Sequence, residues 1–238
     1  AFTPRVPLTL AESFVDFAAH DSHITERRRV VEKRVLPVAK RIAVALFQLG
    51  LVPYGSIEEL ALRFEASLNA TARFGFKQAR RELAAQRNQR LYEIEDAGRY
   101  SALPRQGLPG VMALVSERSL QAASQIAEEV QTATLSPRQE QDILTSILTL
   151  VGRSTHRHVL ELVGETLNMG RAAGALSLGD PPRFAMRSEQ LDTNTCTACA
   201  TVHGEIVRVD SVEYYDLMPP SGCYGGGRCR GIYVYGDE

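Results

Sequence analysis

Residues 31–49 read Val31-Glu-Lys-Arg-Val35-Leu-Pro-Val38-Ala-Lys-Arg-Ile42-Ala-Val-Ala45-Leu-Phe-Gln-Leu49. Val31, Val35, Val38, Ile42, Ala45 and Leu49 recur at steps of three or four, which lines them along one face of an α-helix. Pro37 predicts a start or a kink within that helix, because its ring removes a backbone donor. Gly50 and Pro53 predict its end.

The same period continues outward along the chain. Ser56-Ile-Glu-Glu59 reads as a capping box, with Ser56 as N-cap and Glu59 reaching back to its amide. Leu60, Phe64 and Leu68 form the next stripe, and the helical pattern runs to about Gly98 with Gly75 as its one interruption. Pro104, Gly107, Pro109 and Gly110 mark a loop or hinge over 101–110. A helix is predicted over 111–133. Ser136-Pro137 then reads as N-cap and first residue of another helix, with Ile143, Ile147 and Leu150 on its buried side. A further helix is predicted over 156–176, stopped by Gly179-Asp180-Pro181-Pro182.

Beyond Pro182 the period changes from helix to strand. Phe184 to Ser188 and Glu205 to Val209 alternate, and Ile232-Tyr-Val-Tyr235 is a third strand candidate. The expected fold is mainly α: a long-helix body followed by a small C-terminal α+β module with a four-cysteine cluster. Three regions follow from the pattern. Residues 1–104 form a long-helix N-terminal region, 105–180 a second helical region, and 181–238 a small β-rich cysteine module.

Composition narrows the function classes. A chain of 238 residues is long enough to bury a substantial core. Its formal net charge of −1 argues against a polycation that coats nucleic acid, so electrostatic contacts must be local. The most apolar stretch, Val35 to Val52, is interrupted by Lys40, Arg41 and Gln48, which predicts no membrane span. No secretory signal is visible, and a start at Ala1 suits a processed chain or a part of a longer one.

All four cysteines lie in the last fifth of the chain, as Cys196-x-x-Cys199 and Cys223-x5-Cys229. So few cysteines are sparse for a disulfide scaffold and suit a reducing compartment. Two close thiol pairs on two loops suit structural Zn²⁺, which favours four sulfur ligands in a tetrahedron. His203 is a fifth candidate ligand. Gly222, Gly225, Gly226 and Gly227 give the second loop freedom to fold tightly. Disulfides and unmetallated thiols are the alternatives.

The order of residues around the cysteines resembles a known family. Leu191-Asp192-x-x-Thr195-Cys196-x-x-Cys199 is followed by Gly204, by Pro219-Pro220, and by Cys223 and Arg228-Cys229-Arg230. Glu165-Thr-Leu-Asn168-Met-Gly-Arg171 precedes them. Together these resemble the C-terminal domain of tailed-phage minor head proteins, the head-morphogenesis proteins of the phage Mu F and phage SPP1 gene-7 type. The resemblance covers about residues 155–235. Two positions depart from the family pattern: His203-Gly204 replaces the usual Asp-Gly turn, and a glycine run separates Cys223 from Cys229.

The resemblance implies a non-enzymatic minor capsid protein of the virion. Its place would be at the portal vertex, inside the capsid, after assembly in the host bacterial cytoplasm. Its partners would be the portal protein, the major capsid protein and packaged DNA, and its role head assembly or the organisation or ejection of that DNA. Neither a membrane nor a small-molecule substrate is implied. The alternative is a zinc-stabilised nucleic-acid-binding protein.

Basic clusters are the candidate contacts with portal or DNA: Arg27, Arg28, Arg29, Lys33 and Arg34 on the first helix, and Arg80 and Arg81 on the next, with Arg73, Lys77, Arg87 and Arg90 nearby. Phosphate contact needs cations on one face. A solvated helix face is the competing reading. His156 and His158 read as polar residues on the surface, since residues two apart do not share a helix face. No paired-carboxylate signature, phosphate loop or Gly-x-Ser-x-Gly elbow occurs, so no enzymatic activity is expected.

Overall fold

The computed structural model describes residues 8–49, 54–89, 137–189, 195–216 and 231–237. The predicted helix over 111–133, the hinge over 101–110, the helical tail from 90 to 98, and Cys223 and Cys229 lie outside the described residues. Within them the chain is mainly helical, with a small three-stranded antiparallel sheet near its C-terminus.

A short helix α1 (Leu8–Ala11) and a 3-10 turn (Glu12–Phe14) lead into α2 (Phe17–Val30). Asp16 starts α2 by accepting the Ala19 N–H at 2.9 Å, satisfying a donor that has no partner within the helix. The helix does not stop at Pro37. It widens into a π turn over Val31–Val35, where the Leu36 N–H bonds the Val31 carbonyl five residues back, and continues as α3 (Leu36–Leu49). The wider turn lies directly before the proline, where an ordinary helix would press its ring against a carbonyl. Val31, Val35, Val38, Ala39, Ile42 and Ala43 are all buried across this join. Leu49, predicted on the same stripe, is 64% exposed.

Helix α4 (Tyr54–Gln86) begins two residues before the predicted cap at Ser56. Glu59 does not turn back to Ser56. Its carboxylate pairs with Arg41 of α3 and with Arg63 one turn on. Helix α5 (Pro137–Leu176) starts at Pro137 as expected, but it is one continuous helix where two were predicted. Its 40 residues span about 60 Å. Ile147 is buried, whereas Leu150 is half exposed, which corrects its predicted place on the buried side. No helix among the described residues is long and apolar enough to cross a membrane.

Helices α4 and α5 run parallel, because their contacts advance together: Ala72 with Gly170, Phe76 with Gly174, Arg80 with Ser177. Gly75 is no interruption. It is the place where α4 meets α5 so closely that a Cβ would overlap the Leu167 carbonyl. A Cβ at Gly170 or Gly174 would likewise overlap the backbone of Ala72 or Phe76. The α2–α3 rod lies antiparallel to both, with His20 near Arg171 and Lys40 against Gly152. Leu60, Phe64 and Leu68 of α4 join Ile147, Val151, Val159 and Val163 of α5 under the rod to form the main core.

The sheet comprises β1 (Phe184–Ser188), β2 (Ile206–Arg208) and β3 (Ile232–Gly236) in the order β2-β1-β3. Both pairings are antiparallel, with Ala185 opposite Val207 on one side and Tyr235 on the other. Two short helices, α6 (Thr197–Val202) and α7 (Val212–Asp216), flank β2 in sequence. The predicted alternation fails on β1, where Ala185 to Ser188 are all buried, and the third strand candidate, β3, is buried from Ile232 to Tyr235. For β3 the reason is cover: α1, α4 and α5 contact it, and Tyr214 of α7 stacks on Tyr233 at 4.8 Å. The second core joins Ala185, Tyr233 and Tyr235 to Ala79 and Leu83 of α4 and Ala175 of α5, so the sheet shares its core with the long helices.

Candidate functional site

Two of the residues that carried the family resemblance, Asn168 and Arg171, lie one turn apart on α5 and reach the same strand. Asn168 donates to the Gly231 carbonyl at 3.0 Å and accepts the Tyr233 N–H at 3.3 Å. Arg171 is fully buried and donates to the Tyr233 carbonyl at 3.0 and 2.8 Å. Its Nη1 and Nη2 also clamp the carboxylate of Glu82 of α4, at 2.9 and 2.5 Å. His20 of α2 completes the group, its Nε2 3.0 Å from the guanidinium.

Burial would raise the Glu82 carboxyl, but the charge of Arg171 and its hydrogen bonds hold it below the ordinary carboxylate range. Burial likewise opposes the charge on Arg171, and Glu82 more than restores it. Two buried charges each cost several kcal/mol to desolvate and persist only when paired and fully hydrogen-bonded. The joint therefore fixes geometry: α2, α4, α5 and β3 are tied through one guanidinium.

A second buried pair lies at the C-terminal end of β1. Arg187 and Glu189 meet at 2.6 Å, and the guanidinium sits 5.8 Å from the centre of the Tyr233 ring. Gly231 closes over them so tightly that a Cβ would overlap both side chains. Burial raises the Glu189 carboxyl, against the opposing pull of Arg187, His203 and a hydrogen bond with Cys199. At the far end of the sheet, Arg87, just past the end of α4, grips Asp237 with two hydrogen bonds and also donates to the Asp180 carbonyl. Gln86 donates to the Tyr235 carbonyl at 3.1 Å.

The cysteine turn hangs from this scaffold. Cys196 is the N-cap of α6 and half-buried, and Cys199, three residues on, is 3% exposed. His203 ends α6, and Gly204 turns the chain with φ +82. The Gly204 N–H bonds the Arg187 carbonyl at 2.7 Å, and the Arg187 N–H bonds the Glu205 carbonyl at 2.8 Å, so the turn is clipped to β1. Two thiols on one helical turn fit half of a tetrahedral sulfur shell. His203 fits less well as a further ligand. Its Nδ1 accepts the Glu189 N–H at 3.1 Å, so the neutral ring carries its proton on Nε2 and has no lone pair left for a metal. Among the described residues no group of three or more His, Cys, Asp or Glu side chains converges.

The basic candidates separate by environment. Arg28, Arg29, Lys33 and Arg34 are exposed, while Arg27 is half-buried and bonds Glu26 at 2.5 Å. Arg80 turns inward, 7% exposed, donating to Ser177 and lying over Phe76, so it offers no surface to a partner. Arg81 is exposed and aligns with exposed Arg73 and Lys77 at steps of four, one stripe along α4.

Periodicity missed the buried charges, although it held a signal for them. Val163, Leu167, Arg171 and Ala175 share one stripe of α5, and Ala79, Glu82 and Gln86 share one of α4. An arginine and a glutamate on two apolar stripes point to a buried pair; which pair is a matter of tertiary structure. Comparisons of the chain with family models, with curated proteins and with solved structures find no match.

Proposed function

We propose that this chain is a structural virion component, a minor capsid protein of the tailed-phage head-morphogenesis type, bound at the portal vertex and facing the capsid interior. The observation that carries this reading is the position of Asn168 and Arg171. The segment that resembles the family's helical motif is the one that ties the long-helix arm to the small sheet. A rigid arm joined to a clipped module suits a low-copy assembly part with no chemistry to perform. The portal protein is the proposed partner, with the major capsid protein and packaged DNA as further ones. Structural zinc on Cys196, Cys199, Cys223 and Cys229 is proposed for the module, where it would staple two loops that a small sheet cannot hold alone.

Imaging of an intact virion without imposed capsid symmetry tests the reading. Low-copy density at the vertex that fits the bundle of α2–α3, α4 and α5 is the expected result; a vertex fully accounted for by other proteins sinks it.

The second reading, a zinc-stabilised nucleic-acid-binding protein, is favoured by the stripe of Arg73, Lys77 and Arg81. Each phosphate contact contributes about 0.9 to the salt slope of duplex DNA binding. Replacing all three with Gln should lower that slope by about 2.7 if the stripe lies on DNA. Binding with an unchanged slope removes the stripe from the interface.

A further inference from the structure

The N-terminal segment of residues 8–23 meets the rest of the protein at three places. Helix α1 packs on β3 and β1, with Ala11 fully buried. Glu12, at the next turn, accepts a hydrogen bond from the Ser188 hydroxyl at the end of β1. His20 and His23 of α2 then enter the bundle on either side of Phe74: His23 stacks flat on the ring at 4.2 Å and 2°, and His20 meets it edge-on at 5.4 Å and 80°.

The partner of each ring fixes which nitrogen carries the proton of its neutral form. The Thr71 hydroxyl donates to the Ser67 carbonyl at 3.0 Å, so it receives the Nε2 proton of His23, 3.3 Å away. The Nε2 of His20 faces the Arg171 guanidinium, which can only donate, so Nε2 accepts and the proton sits on Nδ1. That Nδ1 is buried with no partner among the described residues. A second proton on His20 would set a cation against Arg171 at 3.0 Å, with Glu82 farther off at 3.7 Å.

We propose that residues 8–23 form a proton-operated clasp: neutral His20 and His23 lock the N-terminal segment onto α4, α5 and the sheet, and mild acid releases it while the bundle stays folded. The charged groups facing the two rings come from all three elements. Glu82 and Arg171 approach His20 from α4 and α5, and Asp16 from its own end of α2. Around His23 the charged neighbours are Arg27 and Glu26 of α2, with uncharged Thr71 and Phe74 from α4.

Burial lowers both imidazoles, against the opposing pull of Glu82 at His20 and Glu26 at His23 and with the help of Arg171 at His20 and Arg27 at His23; His23 falls from 6.5 to about 4. A released ring regains its ordinary value, so the open state binds more protons below pH 6.5. Closure is therefore complete above 6.5 and weakens as the pH falls towards 4. Between pH 7.5 and 5.0, His23 alone favours opening by about 30-fold.

Hydrogen exchange of the full chain at those two pH values, corrected for intrinsic rates, tests the clasp. Residues 8–23 should open about 30-fold more at the lower pH, while peptides over Leu60–Leu68 and Val159–Leu167 keep their protection. The paired variant His20→Gln, His23→Gln keeps hydrogen-bonding amides without titrating rings and should lose most of that ratio. Equal protection at both pH values, loss of protection through the whole bundle, or a ratio unchanged in the variant overturns the clasp. If the variant does not fold, the imidazole signals of the unaltered protein decide. Titration of both rings together with opening of residues 8–23 supports the clasp, and titration near 6.5 with the segment closed refutes it.

Discussion

Arg171 is the residue on which the most elements depend, since its guanidinium bonds Glu82, His20 and the Tyr233 carbonyl at zero exposure. Arg171→Met should cost about 3–5 kcal/mol, mainly because Glu82 is left buried and unpaired. Adding Glu82→Leu should recover a large part of that loss, since the pair is replaced by apolar volume. Urea unfolding of the two singles and the double checks this; additive losses would show that the two groups do not act as a pair. Glycine carries a comparable demand at this scale. Gly170→Ala places a methyl against the Ala72 backbone and should cost about 2–3 kcal/mol, read as a lower urea midpoint. Gly55→Ala, where nothing lies near the added methyl, should cost nothing of that kind.

At the scale of elements, the helices divide into faces with separate duties. The inner face of α4 carries Gly75, Ala79 and Glu82, and its outer face carries Arg73, Lys77 and Arg81. The π turn lets one rod pass Pro37 without breaking, so that Val31 and Ile42 serve the same core. The cysteine turn is held by its clip to β1 and by its neighbour Glu189. Serine at both Cys196 and Cys199 should therefore loosen residues 195–216 to proteolysis while far-ultraviolet circular dichroism keeps most of its helical signal. Metal content by mass spectrometry separates the causes. About one zinc per chain, lost in the variant, supports a sulfur site; less than about half an equivalent in the unaltered protein removes it.

For the molecule as a whole, the sheet core includes Ala79 and Leu83 of α4 and Ala175 of α5. The β-rich region beyond residue 181 thus borrows its core from the arm. Heating should give one transition seen alike by tyrosine absorbance and by helical dichroism. Two separated transitions would show that the sheet folds apart from the bundle.

Much of this architecture was legible in the chain. Apolar residues at steps of three and four marked α3, α4 and α5, Pro137 marked the start of α5, and the change of period after Pro182 marked the three strands. These are local properties, set by backbone geometry and by which face must leave water. The buried joint of His20, Glu82 and Arg171 was of another kind: its members lie 62 and 89 positions apart, and no local pattern says which charges meet. The same holds for Gly75 and Gly170, which look like helix-weakening residues until two backbones are brought together. The order of residues sets where helices and strands form, whereas which buried charges pair and which glycines touch is set by packing, because pairing depends on distances that the order of residues does not contain.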